Sequence, residues 1–233
     1  MSMGAGLIAE SLSFLHGLEH GEFEQHFGNV RFGPYGFTGM SMGAHMACLA
    51  ASMAGREVAL VPCLSPYSAS VVFTQGPLRN WCHWDVLRQQ LEQYQSAEQR
   101  ERRQSAEEFM VDFLHNSDIT TYPAPVYAPA TIQVAARHDG YIPGTGDVLY
   151  RHWHGSELRW IPTGHATAFV LGSARAAIVE AILDAFRRVH HRLYSHDGAA
   201  PPPSSPSPSP SPSPSPSRSE EHTSELQSRL HLV

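Results

Sequence analysis

The sequence predicts an α/β fold, in which helices cover both faces of a mostly parallel sheet. VALVPCL at Val58–Leu64 is a continuous apolar run of strand length, which is typical of a strand buried on both faces of a parallel sheet. TIQVAA at Thr131–Ala136 and ELRWI at Glu157–Ile161 are further strand patterns, each followed by polar residues or by Gly and Pro. Helical patterns alternate with these strands, which favours right-handed crossovers between parallel strands.

The first sixty residues are predicted to hold a helix, a short strand and a second helix. Apolar residues recur at spacings of three and four between Ala5 and Leu18 and predict an amphipathic helix. Tyr35–Thr38 has an extended pattern and leads into the motif GMSMG. Small residues then predict a helix over Ala44–Met53, which Gly55 ends.

A helical insertion over residues 80–116 is expected to interrupt this alternation. Its apolar residues recur at helical spacing: Trp84, Leu87, Leu91 and Tyr94. A second helical patch, FMVDFL, begins at Phe109. The apolar stripe fits ordinary helix packing, and it also fits a cap whose wall faces an acyl chain. A long helix over Ser173–Leu193 follows the last strand.

We expect one domain over residues 1–197 and a disordered tail over 198–233. Nine of the 18 prolines fall between Pro201 and Pro216, in a Pro/Ser repeat that has no apolar side chains to bury. The final segment, RSEEHTSELQSRLHLV, is similar to the translation of a common sequencing adapter. We therefore expect no functional site in the tail.

The composition excludes several classes of protein. All 16 basic residues are Arg, so the sequence lacks the Lys on which Schiff-base chemistry and P-loop phosphate binding depend. The net charge of −6 gives no electrostatic reason to bind nucleic acid. Cys48, Cys63 and Cys82 have no CxxC spacing, which favours buried thiols over a disulfide framework or a zinc site. No run approaches the ~20 apolar residues of a membrane span, and we expect no cofactor.

Gly39-Met40-Ser41-Met42-Gly43 fits G-x-S-x-G, the pattern of a strand that turns sharply into a helix with a nucleophilic serine at the bend. The two glycines are expected to avoid clashes across this bend. Ser41 would then adopt a strained backbone conformation and present its hydroxyl above the edge of the sheet. The backbone N–H of Met42, at the start of the helix, is the expected oxyanion donor.

A serine nucleophile requires a base and an orienting carboxylate, which follow here in the chain order Ser, acid, His. Asp139 comes just after the strand TIQVAA, at the carboxyl end where α/β sheets bind their ligands. His165 comes after ELRWI, in a loop before the last helix. We predict Asp139 as the acid, with Asp147 as its main rival, and His165 as the general base.

Three other histidines are candidates for a role near the site or in metal binding. His45 lies one helical turn past Ser41, where it could support the site from beneath or simply pack. His152 and His154 alternate about Trp153 and could share one face of a strand. No nearby Cys or carboxylate completes a metal set with them, so we expect no metal site.

Several separated blocks, in one order, resemble the eukaryotic alpha/beta-hydrolase domain-containing protein 18 family. The blocks are GFTGMSMGAHMACLAAS, VALVPCLSPYSASVVFTQG, the Trp84–Tyr94 segment, HDGYIPGTG and Gly164-His165. The resemblance runs from about Leu7 to Tyr194. It implies the α/β-hydrolase fold and serine-hydrolase chemistry on acyl esters of lipids. It carries the nucleophile onto Ser41, the acid onto Asp139 and the base onto His165.

One departure from the α/β-hydrolase plan concerns the start of the chain. In that plan several strands, and the loop with the second oxyanion N–H, precede the serine, whereas forty residues precede Ser41 here. We therefore expect a partial hydrolase domain from which the early strands are missing, as in an incomplete gene model. Two hypotheses follow. The intact protein is a carboxylic ester hydrolase acting on a small-molecule or lipid acyl ester, or the chain is a truncated or pseudo-hydrolase that binds a partner.

Overall fold

Among the residues described by the computed structural model of the protein, four parallel strands form one sheet, in which they pair in the order in which they follow in the chain. The structure describes residues 3–195, apart from positions 29, 31, 95–104, 143 and 145. The strands are β1 (Gly36–Met40), β2 (Ala59–Cys63), β3 (Ile132–Ala136) and β4 (Glu157–Ile161). The expected tail over 198–233 lies outside the described residues.

Most helices among the described residues lie close to their predicted positions. They are α1 (Met3–Glu19), α2 (Met42–Met53), α3 (Ala69–Thr74), α4 (Trp84–Tyr94), α5 (Ala106–Phe113), α6 (Val148–His152) and α7 (Gly172–Tyr194). Short 3-10 turns occupy Glu24–Phe27, Pro77–Trp81, His115–Ser117, Ile119–Thr121, Ala128–Ala130 and Thr167–Phe169. The helix α2 begins two residues earlier than the sequence predicted, and the short helices α3 and α6 were not expected.

The sheet carries helices on both faces, as predicted. Alternate side chains of β2 divide between two apolar clusters, because successive residues of a strand point to opposite faces. Val61 and Cys63 pack in the cluster that includes α7, whereas Leu60 packs in the cluster formed by α1, α2 and α6. All five residues of β2 are buried, which explains the continuous apolar run in the sequence.

The segment around Trp153 is helical, and its expected strand pattern is wrong. His152 is the last residue of α6 and His154 lies in the turn that follows, and both are exposed. Trp153 between them is fully buried and packs with α2. Burial of this one large side chain accounts for the alternation of exposure without a strand.

The described part of the 80–116 segment contains the helices α4 and α5, in agreement with the helical pattern of its sequence. The Nε1–H of Trp84 donates to the carbonyl of Arg79 at 2.8 Å and fixes the start of α4. A capping box begins α5, since the Ser105 hydroxyl accepts from the Glu108 N–H and the Glu108 carboxylate accepts from the Ser105 N–H. The role of this segment as a cap stays a prediction.

Ion pairs between β4 and α7 predict a loss of stability in acid. Arg159 donates to Asp184 at 2.7 Å, and both Arg159 and Arg188 donate to Glu157. Partial burial alone would raise the pKa of Glu157, but these two hydrogen bonds outweigh it and hold that pKa below its usual value of 4.5. The hydrogen bond from Arg159 likewise lowers the pKa of Asp184 below 3.8.

Carboxylates with a lowered pKa stabilise the fold above their ordinary pKa, and this contribution is lost as the pH falls through the folded-state value. We therefore expect the free energy of unfolding, measured with urea, to decline as the pH falls below about 4.5. The variant Asp184→Asn should be less stable at neutral pH and should decline less steeply in acid. An identical acid slope in wild type and variant would contradict this account.

Candidate functional site

Ser41 lies at a sharp bend between β1 and α2. Its φ of 53° and ψ of −118° place a non-glycine residue in a strained region of backbone space. The Ser41 N–H donates to the carbonyl of Cys63 at 2.9 Å, which ties the bend to the end of β2. The structure thus places Ser41 in the strained turn between strand and helix that the sequence predicted.

The two glycines of the motif have different roles. A Cβ on Gly39 would lie 2.4 Å from the carbonyl carbon of Gly43 and 2.8 Å from the backbone nitrogen of Ala44, so the strand can pass under the helix only with glycine there. A Cβ on Gly43 would meet no atom within 4 Å. The expectation of a steric need is therefore right for Gly39 and wrong for Gly43, whose own Cβ direction points to open space.

His165 lies next to Ser41 although 124 residues separate them in the chain. Its Nε2 is 2.8 Å from the Ser41 Oγ, and its Nδ1 is 2.7 Å from the Oδ2 of Asp139. A carboxylate only accepts hydrogen bonds, so Nδ1 carries the proton and Nε2 is left to accept from the serine hydroxyl. His165 is 8% exposed, which limits the access of water to this pair.

Asp139 is held on both of its carboxylate oxygens. Oδ1 accepts from the backbone N–H groups of Tyr141 and Ile142 at 2.9 and 3.1 Å, while Oδ2 accepts from His165. The rival Asp147 instead pairs with Arg151 at 2.9 Å. The structure therefore brings Asp139, and not Asp147, to the histidine.

The parallel sheet explains how these distant residues meet. Ser41, Asp139 and His165 follow β1, β3 and β4, and the carboxyl ends of parallel strands lie at the same edge. Loops at that edge carry the three side chains together. Met42 begins α2 there, and its side chain is 64% exposed.

Aromatic residues that the sequence did not single out flank the histidine. The ring centroid of Tyr141 lies 5.0 Å from that of His165, and that of Phe169 lies 6.2 Å away on the following turn. Both aromatic side chains remain partly exposed. The position of Tyr141, two residues after Asp139, was the one available signal in the sequence.

The loop after β3, which contains Asp139 and Tyr141, packs closely against the segment that follows α3. A Cβ on Gly76 would lie 2.2 Å from the carbonyl oxygen of Tyr141, so the backbone of the two segments is in direct contact. A cavity of about 250 Å³ is lined by Asp139 together with residues of β2, β3 and β4. Trp160 and Gln133 line this cavity, whereas Ser41 and His165 do not.

No group of three or more His, Cys, Asp or Glu able to hold a metal occurs in the part of the chain that the structure describes. Burial raises the pKa of both the Cys48 and Cys63 thiols to about 12, which makes them poor nucleophiles. Cys82 is partly exposed, so the expectation of buried thiols is wrong for this residue. Among the described helices, none is long and apolar enough to cross a membrane.

A parallel sheet with helices on both faces, together with a serine bend between strand and helix, defines a protein of the α/β-hydrolase class. The sequence profile of the alpha/beta hydrolase domain containing 18 family matches residues 1–188. The chain therefore belongs to this family.

Two solved structures are similar to part of the chain. One is an enol-lactonase from Burkholderia xenovorans LB400 and the other is a hydrolase from Pseudomonas aeruginosa PA01. Each is 14% identical, with a TM-score of 0.36, and each match covers 64% of this chain and 64% of the solved chain. The chain thus spans less than two thirds of the length of each structure.

Proposed function

We propose that the protein is a serine hydrolase that cleaves acyl esters through Ser41, His165 and Asp139. The observation that carries this proposal is the unbroken chain of hydrogen bonds from the Ser41 Oγ through both ring nitrogens of His165 to Asp139, with separations of 2.8 and 2.7 Å. Membership of an α/β-hydrolase family supports it.

The geometry suits a two-step mechanism. The Ser41 Oγ attacks the ester carbonyl while Nε2 of His165 takes its proton, and Asp139 stabilises the imidazolium that forms. The N–H of Met42, in the first turn of α2, donates to the oxyanion of the tetrahedral intermediate. His165 then gives its proton to the leaving alcohol, and the acyl group remains on Ser41. Water, deprotonated by His165, releases the acid and restores the serine.

Apolar side chains around the serine favour a lipid-like acyl ester as substrate. Met42 lies in the first turn of α2 next to Ser41, and the rings of Tyr141 and Phe169 flank His165. All three residues are more than 40% exposed. An acyl or alkyl chain would cover this apolar surface and gain binding energy from doing so. A small polar ester would leave it exposed to water.

Hydrolysis of p-nitrophenyl esters tests the proposal. We expect the wild-type chain to turn over these esters and Ser41→Ala to show no turnover above background. During wild-type turnover, the peptide that contains Ser41 should gain, transiently, the mass of one acyl group. A folded wild-type chain without turnover of any ester would instead support the alternative, a pseudo-hydrolase that acts by binding a partner.

The apolar stripe of α4 provides a prediction about chain length. Trp84 and Leu87 are partly buried on one face of α4, and if α4 forms a wall of the acyl site, truncating them removes contacts with long chains only. The double variant Trp84→Ala, Leu87→Ala should lose far more turnover on decanoate than on acetate esters. The exposed Val86, changed to Ala in the same helix, is the control. Equal losses on both esters would show that the stripe only holds the fold.

A further inference from the structure

Two neighbouring strands end in the same unusual way. Ser41 after β1 and Leu64 after β2, with φ values of 53° and 57°, are the non-glycine residues with positive φ among those that the structure describes. This conformation is a marked outlier for a bulky residue such as Leu, and it persists only where the surroundings enforce it. Leu64 is buried and its N–H donates to the carbonyl of Val134 at 2.8 Å, so the strained turn is anchored in the sheet.

The turn at Leu64 contacts the serine bend on both of its sides. On one side the carbonyl of Cys63 accepts from the Ser41 N–H at 2.9 Å. On the other side the carbonyl of Pro66 accepts from Nδ1 of His45 at 3.0 Å. His45 is itself bonded to the bend, because its backbone N–H donates to the Ser41 carbonyl at 3.1 Å. These three bonds close a ring of contacts around the nucleophile.

The chemistry of His45 indicates that its side chain is present for the hydrogen bond to the Pro66 carbonyl. The side chain is 2% exposed, and its Nε2 is buried without a hydrogen-bond partner in the described residues. Burial lowers its pKa, so the ring is neutral and carries its proton on Nδ1, where the Pro66 carbonyl can accept it. An apolar side chain would fill the same space without leaving a buried nitrogen unpaired. Packing alone therefore does not explain an imidazole here.

We propose that His45 is a positioning residue for Ser41, acting through the carbonyl of Pro66. Its Nδ1–H holds the turn at Leu64 against the start of α2, and this keeps the Cys63 carbonyl where it fixes the Ser41 N–H. The inference rests on the proposed function, since a fixed Oγ matters only for attack. Reactivity is sensitive to such placement, because a displacement near 1 Å can cost about 100-fold in rate.

Three substitutions separate the hydrogen bond from packing. His45→Asn places an amide N–H close to the position of Nδ1, so the bond to Pro66 can form. His45→Leu has a similar size but no donor. Cys48→Ala, one turn further along α2, controls for a general loss of packing against the same loop, because the Cys48 Sγ lies 3.9 Å from the Ser65 Oγ. If His45→Leu does not fold, His45→Gln replaces it. The glutamine side chain is one methylene longer than that of asparagine, so its amide nitrogen lies past the position of Nδ1 and does not reproduce the bond to Pro66.

Two readouts are needed, and the first does not require activity. Hydrogen exchange of the amide in the peptide that contains Ser41 should accelerate in His45→Leu and return most of the way to wild type in His45→Asn. The rate of Ser41 labelling by a fluorophosphonate should fall about 10- to 100-fold in His45→Leu, with most of the loss recovered in His45→Asn. Cys48→Ala should match wild type in both.

The outcomes distinguish the two proposals. Wild-type exchange in a folded His45→Leu variant overturns the role of His45, whether or not Ser41 is labelled. Equal defects in His45→Asn and His45→Leu also overturn it, because the donor would then be irrelevant. If the expected exchange pattern appears but the wild-type serine is never labelled, His45 positions the Ser41 backbone as inferred and the proposed function is wrong.

Discussion

Asp139→Asn should lower ester turnover about 10,000-fold while leaving the fold intact. The oxygen that accepts from the N–H groups of Tyr141 and Ile142 must remain an oxygen, because those donors cannot pair with an NH₂ group. The asparagine amide would therefore direct its NH₂ at Nδ1 of His165. That nitrogen would become an acceptor, the ring proton would move to Nε2, and Nε2 could no longer take the proton of Ser41.

Asp147→Asn is the matched control for this prediction. Asp147 is the other carboxylate that the sequence allowed. It lies just before α6 and pairs with Arg151 within that helix. We expect its substitution to change turnover by less than about 3-fold, since exposed ion pairs contribute little. Comparable losses in the two variants, measured as kcat on one ester, would contradict the assignment of the acid.

Gly39→Ala should be the most damaging substitution in the motif for stability. The added Cβ would overlap backbone atoms of Gly43 and Ala44, and backbone atoms cannot rotate away as a side chain can. Either α2 separates from β1 or the bend at Ser41 opens. We expect the free energy of unfolding to fall by about 3 kcal/mol or more, and ester turnover to fall with it.

Gly43→Ala tests the same motif with the opposite expectation. Its Cβ would meet open space, and alanine favours a helix over glycine by about 0.5 to 1 kcal/mol. The melting temperature should therefore stay equal or rise. A Gly43→Ala variant as unstable as Gly39→Ala would show that the clash at Gly39 does not explain the motif.

Much of the fold followed from local patterns. The strands β2, β3 and β4 were evident because apolar runs of this length, ended by polar or Gly/Pro residues, have few other solutions in a folded domain. Residues that follow such strands share one edge of a parallel sheet, which is why Asp139 and His165 could be named from position alone. The choice of Asp139 over Asp147 as the partner of His165 depends on distances in the folded chain, which no pattern of spacing provides.

Other features depend on contacts between segments that are far apart in sequence. Three such features lie where α2 meets the end of β2. They are the open space beside Gly43, the strained turn at Leu64 and the hydrogen bond from His45 to Pro66. The exposed histidines beside Trp153 mimic a strand because burial of one large residue imposes the same alternation. Local periodicity records which residues are buried, but not what buries them.

Labelling with a fluorophosphonate, followed by mapping of the modified peptide, tests the central claim most directly. The probe reacts with a serine only when a neighbouring base activates it, so it reports the Ser41–His165 pair independently of the substrate. We predict one adduct on Ser41 of the folded chain, lost in Ser41→Ala and reduced at least about 1,000-fold in rate in His165→Ala. A folded chain in which Ser41 remains unlabelled, or in which His165→Ala labels as fast as wild type, would contradict the account.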